Sequence, residues 1–187
     1  MGMNWLKPNR KNRPIRYTDA NRISKITPIV DTICKFVKPE TNVKILEIGC
    51  NAGMILEELR KKGFLDLFGN DINPAVKPMM AKFFPALADI VDMRIGDILE
   101  VIYTYSDEYF DLIFTHGVLQ HLPFSHDMVF SEIVKKIKKG GFLIVDEDET
   151  TVSSYHFNRD YNSIFTGLDM SPMLFYGRVK VFSKSIG

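Results

Sequence analysis

Apolar positions along this chain follow two rhythms in turn. From Tyr17 to Val37 they recur at helical spacing, with Ile29, Val30, Ile33, Phe36 and Val37 on one side. The spacing predicts two helical pieces, the second starting at Thr27-Pro28 and ended by Pro39. Val43–Ile48 is a short, nearly continuous apolar run, as expected of a strand buried on both faces. It passes through GCNAG into a helical stretch, Met54–Lys62, stopped by Gly63. The cycle then repeats. Leu65–Asn70 reads as a strand ending on Asp71, and Pro74 to about Phe84 as a helix interrupted at Pro78. Ile90–Ile95 and Phe110–Thr115 read as the third and fourth strands. Ser125–Lys139 reads as an amphipathic helix terminated by Gly140-Gly141, and Phe142–Val145 as the fifth strand. In the last forty residues a short helix over Tyr155–Phe165, a turn at Ser171-Pro172 and one final strand, Met173–Ser183, are expected.

Strands alternating with helices through short connections predict an α/β fold, a doubly wound and mostly parallel sheet with short C-terminal β elements. Ligands in such sheets lie beyond the carboxyl ends of the strands. The 187 residues suit one domain: residues 1–40 form an N-terminal arm and helices that act as a lid or cap, and residues 41–187 the main body. Residues 1–16 are polar, basic and broken by Pro8 and Pro14, with no apolar stretch behind them to make a signal peptide.

Composition narrows the possibilities only modestly. Hydrophobic residues make up 45% and charged residues 25%, as in ordinary globular proteins. A net charge of +1 supplies no field to gather nucleic acid. No apolar run approaches the ~20 residues of a membrane span. Cys34 and Cys50 are too few for a disulfide framework, which fits a reduced, cytoplasmic setting.

The candidate chemistry begins at Glu47, an acid inside an apolar strand, where an unpaired carboxylate is strongly unfavourable. Either a structural partner or a cationic ligand group should meet it. Gly49 and Gly53 follow, flanking Cys50 and Asn51, and open a helix whose amino end favours an anion. The spacing E-x-G-x-x-x-G is not the G-x-G-x-x-G of dinucleotide sites. It suits a ligand with an amino acid head: loop amides for its carboxylate, Glu47 and a strand-end carbonyl for its ammonium. Asp71, at the second strand end, is placed to accept bonds from two ribose hydroxyls, or serves as a turn or cap residue. Asp97, at the third strand end, is placed to meet an adenine amino group with Ile98 against the ring, or caps a helix.

These motifs, ILEIGCNAG, GNDINP, GDIL, FDLIFTHGVLQHLP and KKIKKGGFLIVDE, resemble the successive motifs of class I S-adenosylmethionine-dependent methyltransferases across Val43–Glu147. The resemblance implies that S-adenosylmethionine is the cofactor. It places Glu47, Gly49, Cys50, Asn51 and Gly53 at the methionine part, Asp71 at the ribose, Ile72 and Ile98 on the adenine, Asp97 at its amino group, and Thr115, His116 and Gly117 beside the sulfonium. His121 matches a histidine frequent in small-molecule and lipid methyltransferases, so it is a catalytic candidate, or else it orders its loop. The stretch from THGVLQHLP to FNRDY further resembles methylases associated with pseudaminic acid biosynthesis.

Other residues carry less. Glu147, just past the fifth strand, is a candidate contact for the acceptor, set against a solvated acidic loop over Asp146–Glu149. His116 would touch the cofactor through its backbone, His126 starts a helix, and the four histidines form no metal-ligand set. Lys135, Lys136, Lys138 and Lys139 read as the wet face and end of a helix. Arg16 or Tyr17 of the arm would fold over the methionine carboxylate. The expected function is in-line methyl transfer to a small-molecule, sugar or lipid-linked acceptor. The alternatives are a cofactor-binding module that works with or on a protein partner, and a nicotinamide-dependent oxidoreductase, which the glycine spacing disfavours. The sequence carries no signal for oligomeric state.

Overall fold

A computed structural model describes residues 20–40, 42–151, 153 and 155–186, so the basic arm, with Arg16 and Tyr17, lies outside the described residues. Seven strands form one sheet in the order β3-β2-β1-β4-β5-β7-β6. The first five, β1 (Lys44–Ile48), β2 (Asp66–Asp71), β3 (Asp92–Ile95), β4 (Phe110–His116) and β5 (Ile137–Asp146), run parallel. β6 (Met170–Tyr176) and β7 (Val179–Lys184) close one side as an antiparallel hairpin, with β7 against β5.

Alternate side chains of each central strand enter opposite layers. Ile45, Leu67, Leu112, Phe114 and Ile144 pack beneath α1 (Ala20–Phe36), α2 (Met54–Lys61), α3 (Val76–Phe83) and α4 (Pro85–Ala88). Leu46, Phe68, Ile113, Leu143 and Val145 pack beneath α5 (Ile98–Val101), α6 (Met128–Lys136) and α7 (Tyr161–Thr166). Burial of both faces is what makes these strands read as continuous apolar runs. No helix among the described residues is long and apolar enough to cross a membrane.

Several elements differ from the sequence-based expectation. α1 is one helix that runs through Pro28 rather than two pieces. A mid-helix proline costs ~3 kcal/mol. Burying Ile26, Ile29, Val30 and Ile33 against the sheet contributes about 1.5–3 kcal/mol per side chain, which is enough to hold the helix together. Pro78 does not interrupt α3, because it is the third residue, where an amide has no partner inside the helix to lose.

The KKGG segment is strand, not helix end. α6 stops at Lys136 and β5 starts at Ile137, which pairs with Phe110. A Cβ on Gly141 would lie 2.8 Å from the Asp111 carbonyl, so this glycine serves close strand approach. Of the lysines assigned to a wet helix end, Lys136 is buried against Asp107 (2.5 Å) and Lys138 bonds Asp111 from β5. The helix expected over Tyr155–Phe165 is confined to α7, where Asp160 caps Ser163.

The final strand is two strands. Tyr176 pairs with Val179 across Gly177-Arg178, and Gly177 takes φ +58°. Ser171-Pro172 lies within edge strand β6 beside a register shift, a position that tolerates a missing amide. Gly177 has open space around it, so replacing it by valine adds only backbone strain. Gly177→Val is expected to lower stability by about 1–2 kcal/mol, and Gly177→Asn by less. Chemical denaturation would check this; an unchanged midpoint for the valine variant would contradict the left-handed turn.

Candidate active site

The chain leaves β1 through Gly49 (φ +71°), Asn51 (φ +50°) and Gly53 (φ +83°), three left-handed residues in five. A Cβ on Gly49 would stand 2.3 Å from a Val118 methyl, so the loop after β4 rests directly on the glycine loop. Gly53 answers a packing need, since a Cβ there would meet Met80 and Leu87 at 2.7 Å.

The amides of this loop are committed within the protein. Cys50 N donates to Asn70 O (2.9 Å), Asn51 N to Asp71 Oδ2 (2.8 Å), Ala52 N to Asn51 Oδ1 (2.7 Å) and Gly53 N to Cys50 O (2.9 Å). These four amides, expected to meet a ligand carboxylate, are instead occupied within the protein: those of Cys50 and Asn51 tie the loop to β2, and those of Ala52 and Gly53 close it on itself.

Glu47 projects from β1 on the same face as Ile45 and is 3% exposed. Its Oε2 has no hydrogen-bond partner among the described residues. Burial raises its pKa well above the usual carboxylate range. The negative charge of Asp71 adds to the rise, and the Leu56 main chain in the first turn of α2 opposes it.

Asp71 ends β2. Its Oδ2 takes the Asn51 amide and its Oδ1 the Asn73 amide (2.9 Å), which leaves further lone pairs on each oxygen. Burial raises its pKa, and those two amides work against the rise. Asp97 caps α5 through Leu99 N (2.9 Å), while its other oxygen lies 3.6 Å from His126 Nε2.

A cavity of about 490 Å³ opens over these strand ends, a size typical of small-molecule sites. Glu47, Gly49, Cys50, Asn51, Asp71, Ile72, Asp97, Ile98, His116 and His121 all line it. Its apolar walls include Ile26 from α1, Val76 from α3 and Leu122. Two residues expected at the cofactor stand off the wall. Gly53 packs against α3 and α4, and Thr115 is fully buried between Ile48 and Val145.

Glu147 also stays off the wall. It is 1% exposed, and its carboxylate accepts the amides of Val118 (3.0 Å) and Gln120 (3.2 Å). That makes it a brace for the loop after β4 rather than a contact for an acceptor. Burial raises its pKa, with the Val118 amide the first opposing influence.

Beyond this brace lies a network with no sequence signature. Gln120 takes the Asp148 amide on Oε1 (2.5 Å), which fixes its side-chain nitrogen toward His121 Nε2 (3.3 Å) and His156 Nε2 (3.1 Å). Amide nitrogen only donates, so both imidazoles accept at Nε2 and carry their protons on Nδ1. His121 Nδ1 donates to Tyr155 O (2.8 Å) and His156 Nδ1 to Ser153 Oγ (2.6 Å). Arg159, its side chain 3% exposed, bonds Asp127, Leu119 O, Leu122 O and Phe157 O, and so staples the tail to the loop.

The acidic run past β5 is paired rather than solvated. Asp146 bonds His116 and Arg178, and Glu149 pairs with Lys180 at 2.8 Å. His126 at the cavity wall was also missed; its place after a strand's carboxyl end was the available signal.

Residues 46–145 match the family model described as a methyltransferase domain. The chain is 26% identical over 159 residues to a ubiquinone biosynthesis O-methyltransferase of Pelagibacter ubique, a match that covers 82% of this chain and 63% of that protein. It thus spans less than two thirds of the length of that curated relative. Among solved structures, the PH0226 protein of Pyrococcus horikoshii superposes with a TM-score of 0.72 at 16% identity, covering 91% of this chain and 94% of that one. A TehB-like SAM-dependent methyltransferase of Corynebacterium glutamicum gives 0.63 at 19%, covering 89% and 96%. These two likenesses show the fold.

Glu47 also sets a stability trend. Its raised pKa means the folded state binds more protons than the unfolded one above the ordinary glutamate range, so stability falls as pH rises through that window. Glu47→Gln removes the charge, and the ligand-free variant is expected to melt above wild type at pH ~7, with the gap closing toward pH ~4.5. A lower melting temperature at neutral pH would contradict the unpartnered carboxylate.

Proposed function

Because the chain belongs to the class I S-adenosylmethionine-dependent methyltransferases, whose cofactor is S-adenosylmethionine, we propose that it transfers the cofactor's methyl group to a small-molecule, sugar or lipid-linked acceptor. The observation that carries this reading is the orphaned carboxylate oxygen of Glu47 at one part of a cavity whose other acids are Asp71 and Asp97. A buried carboxyl with one unpartnered oxygen is costly as an anion, and the cofactor's ammonium would offset that cost.

The residues present fit the rest of the cofactor. Asp71, held in place by two amides, keeps lone pairs for both ribose hydroxyls. Asp97 would meet the adenine amino group, with Ile72 and Ile98 against the ring faces; all three line the cavity. Gly49, Cys50, Asn51 and His116 would line the methionine part. The committed loop amides leave the methionine carboxylate to other groups.

Bound there, the cofactor supplies a methyl group on a positively charged sulfur, an activated leaving group. The protein's own work is then alignment, which can be worth ~7–11 kcal/mol. The braced loop after β4 and the tail stapled by Arg159 are the groups available to orient an acceptor. The O-methyltransferase name of the curated relative supports a small acceptor.

Calorimetry with S-adenosylhomocysteine tests the donor half. Asp71→Ala removes two hydrogen bonds from a charged acceptor, and affinity is expected to fall by about 100-fold. Full retained affinity would overturn the ribose assignment. A labelled-methyl assay against metabolite fractions tests the acceptor half.

A further inference from the structure

One edge of adenine carries a hydrogen-bond donor beside an acceptor, the amino hydrogens next to N7, so a protein that reads this edge needs an acceptor next to a donor. Under the cofactor reading above, Ile72 and Ile98 would lie against the ring faces, and the ring edge is what remains for polar side chains. Asp97 offers one of the two groups. Its Oδ1 takes the Leu99 amide at 2.9 Å, which leaves Oδ2 to a ligand.

His126 offers the other. It lies in the loop between β4 and α6 and lines the cavity together with Asp97. Its Nε2 stands 3.6 Å from Asp97 Oδ2, and its Nδ1 lies 3.1 Å from Ser125 Oγ. A carboxylate only accepts, so it favours the tautomer with the proton on Nε2, and the Ser125 hydroxyl then donates to Nδ1. At 3.6 Å the imidazole N–H and the carboxylate do not satisfy each other. They stand side by side as a donor and an acceptor, each open to a neighbouring atom of one ligand ring. The loop that carries the imidazole is tied down. His126 N donates to Pro123 O at 2.9 Å, Asp127 N donates to Phe124 O at 3.1 Å, and the buried Arg159 side chain holds the Asp127 carboxylate.

We propose that His126 is a specificity-determining residue for the cofactor: its Nε2 donates to N7 of the adenine whose amino group donates to Asp97 Oδ2. The proposal rests on the methyltransferase reading above and deepens it. N7 fits better than N1 on the other edge. N1 and the amino nitrogen are bonded to the same carbon, whereas ring carbons separate N7 from the amino nitrogen more widely, and the wider pair matches a donor and an acceptor 3.6 Å apart. A 6-oxo purine would set an oxygen against Asp97 with no hydrogen between them, so the same pair rejects it.

The test uses the full chain and calorimetry with S-adenosylhomocysteine and its 7-deaza analogue, in which a C–H replaces N7. Wild type is expected to bind the analogue about tenfold more weakly, because the His126 N–H then faces a carbon. His126→Leu removes the N–H, so it should bind S-adenosylhomocysteine about tenfold more weakly than wild type does and show no preference between the two ligands. His126→Gln keeps an N–H and should restore part of the preference. The 1-deaza analogue probes the opposite edge, and its affinity relative to S-adenosylhomocysteine should be the same in wild type and His126→Leu.

Equal wild-type affinity for S-adenosylhomocysteine and its 7-deaza analogue overturns the proposal and leaves the methyltransferase reading intact. So does a His126→Leu protein that keeps the wild-type preference, or one whose lost discrimination is confined to the 1-deaza analogue. A wild type that binds none of the three ligands fails the methyltransferase reading itself, and the proposal with it. A crystal structure of the wild type with S-adenosylhomocysteine bound supplies a readout free of variants, should either variant fail to fold. His126 Nε2 is expected within ~3.2 Å of N7, and a separation beyond ~3.6 Å overturns the assignment.

Discussion

β1 runs between β2 and β4, parallel to both, with Ile48 level with Asn70 on one side and Thr115 on the other. Three chain turns therefore leave the sheet at one height and must share one space. The glycine loop, the Asp71 turn and the loop after β4 all crowd there. Their buried polar groups have to find partners at that crossing or remain costly. Almost every bond described at the cavity answers this demand. Asp71 serves two amides from two different turns, and Glu147 serves two more. Glu47 is the conspicuous exception, and it is the group on which the donor assignment turns.

The part of the fold that local patterning specifies was readable along the chain. β1 to β4 and α2 follow from apolar runs and glycine stops, because both faces of a parallel sheet and the amino end of a helix leave marks within ten residues. The proline errors share one cause. Pro28 and Pro78 look like breaks when taken alone, but burial holds the helix at the first and a vacant amide position excuses the second. The tail misled for a different reason. In MLFYGRVKVFS the alternation continues straight through Gly177, so two strands folded on each other look like one.

The cavity lining was legible at the ends of β1, β2 and β3 and opaque beyond them. Glu47, Asp71 and Asp97 stand at strand ends, and the strand ends were known. Gln120, His156 and Arg159 work through partners that the chain brings back from as far as 40 residues away, including Arg159 to Leu119 O. No spacing rule links a tail arginine to such a loop. The same network changes the standing of His121. In the sequence it stands out because it is a histidine in the right loop, yet in the fold both of its nitrogens are spoken for, while His116 keeps one.

The contact between Gly49 and Val118 has a consequence for how a protein of this design can diversify. The glycine turn and the turn after β4 touch with no room for even a methyl group between them. Change is easiest to accommodate where the second turn faces away from the first, around Phe124, whose side chain is exposed. At Val118 a larger side chain would push on Gly49 and displace the glycine turn. One turn is thus fixed by packing at its near end and free to vary at its far end.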